Sequence, residues 1–188
     1  MEHFHTNASF GEDWFTYPQL YQTMVQRFPS GSHFVELGCW KGKSAAFMAV
    51  EIANSGKQIQ FDCIDIWSEV PYLGEGNQDK AGDDLMNCFL ENIKPVSHLI
   101  NVKRKDSALS AEDYADGSVD FVFIDADHSY EGVKKDILAW LPKVKKGGVL
   151  SGHDYAWHLP IQMACNDVFG EGNYSDPWGN GCFMIEVK

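Results

Sequence analysis

A doubly wound α/β sheet is the fold class this sequence predicts, on three observations. Short apolar runs at 34–37, 59–66, 121–124 and 149–151 recur between segments of helical periodicity. That alternation builds a mostly parallel sheet with helices on both faces. The run Phe121-Val-Phe-Ile124 is continuously apolar, as a strand buried on both faces must be. Two stretches, Val35-Glu-Leu-Gly-Cys-Trp-Lys-Gly-Lys-Ser44 and Phe121-Val-Phe-Ile-Asp-Ala-Asp-His128, each run from a buried strand into a polar turn. In an open α/β sheet such strand ends converge on one crevice, where ligands bind.

The elements follow in order. Residues 1–13 are polar and read as a flexible tail, with His3 and His5 solvated rather than chelating. Over 17–28, Leu20, Met24, Val25 and Phe28 fall at helical spacing, and Pro18 suits a first turn. Gly31 leads into the strand 34–37. A helix over 43–54 puts Ala45, Met48 and Ile52 on one face, and Gly56 ends it. The second strand is 59–66. Residues 67–82, with Pro71 and their glycines, read as a loop. A helix at 83–93, a strand at 99–103 and a short helix within 107–116 come next. The helix 130–141 carries Val133, Ile137, Trp140 and Leu141 on one stripe. Gly147-Gly148 turns the chain into the strand 149–151. Pro160 opens a helix to 169, and 182–187 is a closing strand.

At 188 residues the chain reads as a single domain, 1–188. Its 27 acidic against 15 basic residues give a formal net charge of −12. That argues against a nucleic-acid partner, because phosphate binding is driven by Lys and Arg. It leaves room for a small cationic ligand. Cys39, Cys63, Cys88, Cys165 and Cys182 form no CxxC pair and are odd in number, which predicts reduced thiols in a cytoplasmic protein. No basic-then-apolar leader and no apolar run of roughly 18 residues occurs, so no membrane span is expected.

Three ligands compete for the loop at 36–44. A phosphate-binding P-loop needs GxxxxGK[ST], and Gly38 and Gly42 are one residue too close. A dinucleotide fingerprint needs GxGxxG, and position 40 is Trp. What remains is E-x-G-x-x-x-G, which suits S-adenosyl-L-methionine (SAM). SAM has no phosphate to cradle. It needs glycines that clear space for its methionine portion and a carboxylate, Glu36, near its amino group. Asp65 ends the next strand, where an acid can accept both ribose hydroxyls. Each residue also has a plainer reading: the glycines as turn formers, Asp65 as a loop cap.

With those residues in view, the chain resembles the class I SAM-dependent methyltransferases. It is most similar to a small group, methyltransferase domain 24-like, with VExGxxxGKS, IDADHSYE and GGxLxGHDY at its first, fourth and fifth strands. All three motifs occur in order, at 35–44, 124–131 and 147–155. The resemblance implies a Rossmann-like, mostly parallel, seven-stranded sheet. It places Asp106 and Ser107 near the adenine and Asp125 near the transferring methyl group. The cofactor-binding set so expected is Glu36, Gly38, Gly42, Ser44, Asp65, Trp67, Asp106, Ser107 and Asp125.

Asp125, Asp127 and His128 follow one strand, and His153 and Asp154 follow its neighbour. Acids and imidazoles at adjacent strand ends can bind a divalent metal or supply a general base. The chain is similar here to catechol O-methyltransferase-like enzymes, in which an acid and a later pair hold Mg²⁺. Asp125, His153 and Asp154 occupy the matching positions as metal ligands. That family has Asp-Asn where this chain has His-Asp, which favours a softer ion such as Mn²⁺, or no metal. Without metal, His128 or His153 is the base, since a neutral imidazole suits that task. Asp125, His128 and His153 are therefore the expected catalytic residues. His33 and His98, at strand starts, are structural.

The chain lacks the [DN]PP[YF] segment that resemblance ties to methylation of base nitrogens. A hydroxyl on a small-molecule acceptor, of sugar or polyketide type, is the expected target. Segments 7–17, 67–82 and 155–178 can cover the crevice with Trp14, Phe15, Trp67, Tyr72, Tyr155, Trp157 and Trp178. Aromatics line small-molecule pockets, but equally fill cores or a homodimer contact. Two other functions fit the same scaffold, a non-catalytic SAM-binding protein and a metal-dependent hydroxylase, because fold does not fix function.

Overall fold

The computed structural model describes residues 1–11, 14–67 and 83–188. The predicted cover 67–82 lies outside them except for Trp67. The strands are β1 (His33–Leu37), β2 (Gln60–Asp65), β3 (Asn101–Arg104), β4 (Val119–Ile124), β5 (Val144–Gly152) and β6 (Phe183–Glu186). The helices are α1 (Pro18–Arg27), α2 (Lys43–Ser55), α3 (Asp83–Ile93), α4 (Ser107–Ser110), α5 (Tyr130–Trp140) and α6 (Leu159–Phe169). Among the described residues the sheet has six strands, not the seven expected, in the order β3-β2-β1-β4-β5-β6. All neighbours are parallel except β5 and β6.

The alternation of side chains along each strand divides the core into two layers. Phe34, Phe121 and Phe123 pack on the side of α1, α2 and α3. Val35, Leu37, Val122 and Ile124 pack on the side of α5 and α6. A polar network is built into the sheet as well. Asp62 is fully buried, and its carboxylate receives Tyr114 at 2.6 Å, His33 and Lys103 at 3.0 Å and Asn101 at 3.0 Å. Burial alone would raise that carboxyl; these four donors outweigh it and hold it far below the carboxylate range. His33 is thus structural, as expected.

Two local predictions change. Gly147 and Gly148 lie inside β5, not before it. The register jumps from Val119↔Val144 to Phe121↔Val149, so the pair forms a bulge, with Gly147 at φ 77°. The N-terminal segment lies on the protein instead of trailing from it. His3 stacks on Phe47 of α2 at 4.4 Å and meets Glu51 at 2.7 Å, while Phe10 is buried in a short 3₁₀ turn. All five cysteines are free thiols, and no described helix is long and apolar enough to cross a membrane.

The strand order positions the site. From β1 the chain first builds outward through β2 and β3, then crosses back to β4 on the other side of β1. The gap between β1 and β4 is the topological switch point, where a crevice must open at the C-terminal strand ends.

Candidate active site

Main-chain bonds carry the sheet registers into the crevice. Gly38 N–H donates to Ile64, Asp125 N–H to Leu37 and His153 N–H to Ile124, at 2.9, 2.8 and 3.0 Å. Gly38 is required there twice over. Its φ is 80°, and a Cβ would sit 2.0 Å from the Asp125 carbonyl oxygen. Gly42, at φ 86°, would drive a Cβ to 2.9 Å from Phe89 and Ile93 of α3. Both glycines therefore clear space for the protein's own chain, where the sequence suggested clearance for a ligand.

Asp65 organises the loop between β1 and α2. Its Oδ2 accepts from Cys39 N–H at 2.7 Å and Trp40 N–H at 3.0 Å, and its Oδ1 from Trp67 N–H at 2.7 Å. Those bonds hold Trp40 and Trp67 at positive φ, 49° and 44°, a conformation that bulky residues adopt only under constraint. Trp67, expected to touch the cofactor, is fully buried. Its ring packs on Phe89 at 4.8 Å and its indole N–H donates to the Trp40 carbonyl.

Glu36, expected to stand near the amino group of the ligand, is enclosed by the protein. It is 1% exposed and faces the α1–α2 layer, where Ser44 donates to Oε1 at 2.7 Å and Tyr21 to Oε2 at 2.9 Å. Burial pushes its carboxyl up to about 8. Glu36 and Ser44 thus pair with each other beneath the loop. Asp106 accepts from Leu109 N–H at 2.9 Å as the N-cap of α4. Ser107 donates to buried Asp136 at 2.6 Å, and burial raises Asp136 to about 6. Asp106 and Ser107 stand at the β3 end of the same edge.

The acid and histidine edge is assembled from β4 and β5. Asp125, His153 and Asp154 offer ligand atoms within 4.8 Å of one another. His153 Nδ1 lies 3.8 Å from Asp125 and 3.5 Å from Asp154. His128 Nε2 stands between the same carboxylates, 3.4 Å from Asp125 and 3.3 Å from Asp154. Contact with Asp125 raises the His128 imidazole, against the effect of burial. Burial would lower His153, but Asp154 and Asp125 outweigh it and raise it. Burial would raise Asp154, but the imidazoles of His153, His128 and His158 hold it below its usual range. Two carboxylates and an imidazole at these separations are a donor set for a divalent cation. The imidazole protons are what such a cation would displace.

Two contributors escaped the sequence reading. Tyr17 lies against the His153 ring at 4.7 Å and donates to Asp125 Oδ2 at 3.1 Å. Thr16 Oγ1 sits 2.9 Å from His153 Nε2 and donates to the Asn180 carbonyl at 3.1 Å. The segment ending at Tyr17 was expected to cover the crevice, but without any named polar contact. Trp157 meets the same imidazole edge-on at 5.6 Å. Asp127 caps the turn into α5, accepting from Ser129 N–H at 2.8 Å.

Comparison with known proteins agrees with this architecture. The chain is 25% identical over 120 residues to the uncharacterized protein y4gI of Sinorhizobium fredii, and spans only 13% of that protein's length. Its fold is similar to the O-methyltransferase NovP, with a TM-score of 0.65 at 16% identity, covering 92% of this chain and 80% of that one. It is similar also to cofactor-bound Rv0187 from MTB, with a TM-score of 0.67 at 15% identity, covering 97% and 86%. The family model described as a methyltransferase domain matches residues 35–155, from Val35 of β1 to Tyr155, the residue after the His153-Asp154 pair. The chain belongs to that methyltransferase family and carries the sheet of the class I SAM-dependent enzymes.

Proposed function

We propose that this chain transfers the methyl group of SAM to a hydroxyl oxygen of a small molecule, with a divalent ion at Asp125, His153 and Asp154. The observation that carries the reading is the convergence of those residues and His128 at the ends of β4 and β5, beside the switch point of a methyltransferase sheet. The sulfonium suits an acidic protein, and a net charge of −12 favours a small acceptor over nucleic acid. Fold similarity to a protein titled an O-methyltransferase points the same way.

The chemistry needs alignment and the loss of one proton. The acceptor oxygen attacks the methyl carbon, the carbon–sulfur bond breaks, and sulfur keeps the electron pair as S-adenosylhomocysteine leaves. A divalent ion on the two carboxylates and His153 would lower the pKa of the acceptor hydroxyl. His128 receives the proton. It is 42% exposed and can pass it to solvent, whereas His153 is 5% exposed and cannot. Thr16 and Tyr17 hold His153 and Asp125 in place.

Calorimetric titration with S-adenosylhomocysteine, with and without Mg²⁺ or Mn²⁺, tests this. Micromolar binding supports the cofactor site, and an affinity that rises with Mn²⁺ supports the ion. The absence of binding under every condition would overturn the reading. Turnover that is equal with and without chelator would remove the metal and leave His128 alone as base.

A further inference from the structure

Asp154 has two carboxylate oxygens, and they face different imidazoles. Oδ1 lies 3.5 Å from His153 Nδ1, on the side of Asp125. Oδ2 lies 3.3 Å from His128 Nε2, on the outer side. His158, which no sequence motif singled out, brings its ring to 5.3 Å from that of His128. The ligand atoms of His128, Asp154 and His158 all fall within 4.8 Å of one another.

We propose that His128, Asp154 and His158 form a second, outer cation site, selective for transition-metal ions of the Zn²⁺ type and sharing only Asp154 with the inner set. Chemistry, geometry and access each support it. Two imidazoles and one carboxylate are a borderline donor set, which suits Zn²⁺, Co²⁺ or Ni²⁺. Mg²⁺ prefers oxygen and keeps its waters. Donors bound to Zn²⁺ at ~2.0–2.1 Å stand roughly 3–3.5 Å apart, and the His128–Asp154 separation of 3.3 Å already meets that. His128 and His158 are exposed and Asp154 is half-buried, so an ion can enter from solvent and keep water in its remaining positions.

The backbone that carries two of the three donors is held in advance. His158 N–H and Trp157 N–H both donate to the Asp154 carbonyl, at 3.0 and 3.1 Å. That turn places Asp154 and His158 four residues apart on one side. Tyr155 N–H donates to the Gly181 carbonyl at 2.9 Å, which fixes Asp154 at φ 59°. The third donor, His128, comes from a loop pinned by the bond between Ser129 N–H and Asp127.

One consequence rests on the proposed function, although the site itself does not. An ion at the outer site occupies the His128 lone pair and so removes the proton acceptor. Zn²⁺ then inhibits methyl transfer, while Mg²⁺ does not.

The test uses the full metal-free chain, titrated with Zn²⁺ and Mg²⁺ by calorimetry and with Co²⁺ by its visible absorption. His158→Ala should weaken Zn²⁺ and Co²⁺ binding at least roughly tenfold while leaving Mg²⁺ and S-adenosylhomocysteine affinities within about twofold. His128→Gln, on a separate element, should reproduce the loss, and circular dichroism checks that both variants fold. His153→Ala should retain the His158-dependent Zn²⁺ step. Equal Zn²⁺ binding in wild type and His158→Ala would overturn the proposal. So would loss of every Zn²⁺ step in His153→Ala, which means a single inner site. A His158-dependent step without S-adenosylhomocysteine binding would sink the methyltransferase reading and leave the outer site standing.

Discussion

Thr16 and His153, 137 residues apart in sequence, meet at 2.9 Å through Oγ1 and Nε2. Thr16 has one hydroxyl proton, and it goes to the Asn180 carbonyl at 3.1 Å. Both contacts are made together only if Nε2–H donates to Thr16. Nδ1 then faces Asp125 and Asp154 and carries the lone pair whenever the imidazole is neutral. A hydrogen bond on the far nitrogen is how a protein orients a metal-binding histidine and fixes its tautomer.

Thr16→Val removes that acceptor without changing the shape of the side chain. Loss of such a supporting bond costs roughly 10–100-fold in metal affinity. Mn²⁺ affinity measured by calorimetry should fall in that range, and Thr16→Ser should restore most of it. Equal affinities in wild type and valine variant would show that Thr16 has no part in orienting His153.

Asp65→Ala leaves three backbone amides, those of Cys39, Trp40 and Trp67, without their acceptor. A ribose-binding role alone implies a change in ligand affinity; the three backbone bonds imply a loss of stability as well. Unfolding in urea should show a loss of about 1–3 kcal/mol. S-adenosylhomocysteine affinity should fall at least roughly tenfold, the equivalent of 1.4 kcal/mol, because the glycine loop loses its anchor. A variant of unchanged stability would contradict the anchoring role.

Gly38→Ala combines a φ of 80° with a Cβ 2.0 Å from the Asp125 carbonyl oxygen. The left-handed backbone alone costs about 1–2 kcal/mol, and the contact is with main chain, which cannot rotate away. The midpoint of thermal unfolding should drop sharply, with a total loss above ~3 kcal/mol. A small shift would mean that the ends of β1 and β4 separate easily.

Glu36→Gln tests the buried carboxyl. In the folded chain its pKa is about 8, against an ordinary 4.5. Below about 4.5 it is protonated in both states and has no effect on stability. Between about 4.5 and 8 the unfolded chain releases the proton and the folded chain keeps it, so rising pH favours unfolding. The stability of wild type relative to Glu36→Gln should therefore fall by several kcal/mol across that window and level off above it. Parallel stability curves for the two proteins would show that Glu36 ionises normally.

The sequence by itself determined the alternating architecture and the position of the crevice. Hydrophobic periodicity records burial, so α1, α2, α5 and β4 lie within a few residues of where the pattern puts them. The ordered motifs at 35–44, 124–131 and 147–155 placed the chain in its family. Gly38 and Gly42 both lie at positive φ, which fits the plainer reading of them as turn formers, because that backbone region has few other tenants.

Only the tertiary structure decided which way the polar side chains face. Glu36 looks like a ligand carboxylate in sequence, yet it points between Tyr21 and Ser44 because β1 directs that position into the α1–α2 layer. Trp67 looks like a pocket aromatic, yet the Asp65 bonds turn it under the loop. Thr16, Tyr17 and His158 join the site through contacts that reach across the chain or through a turn held by Asp154 and Gly181. Such contacts leave no periodicity and no motif, since a hydrogen bond depends on where two groups meet in space and not on their spacing along the chain.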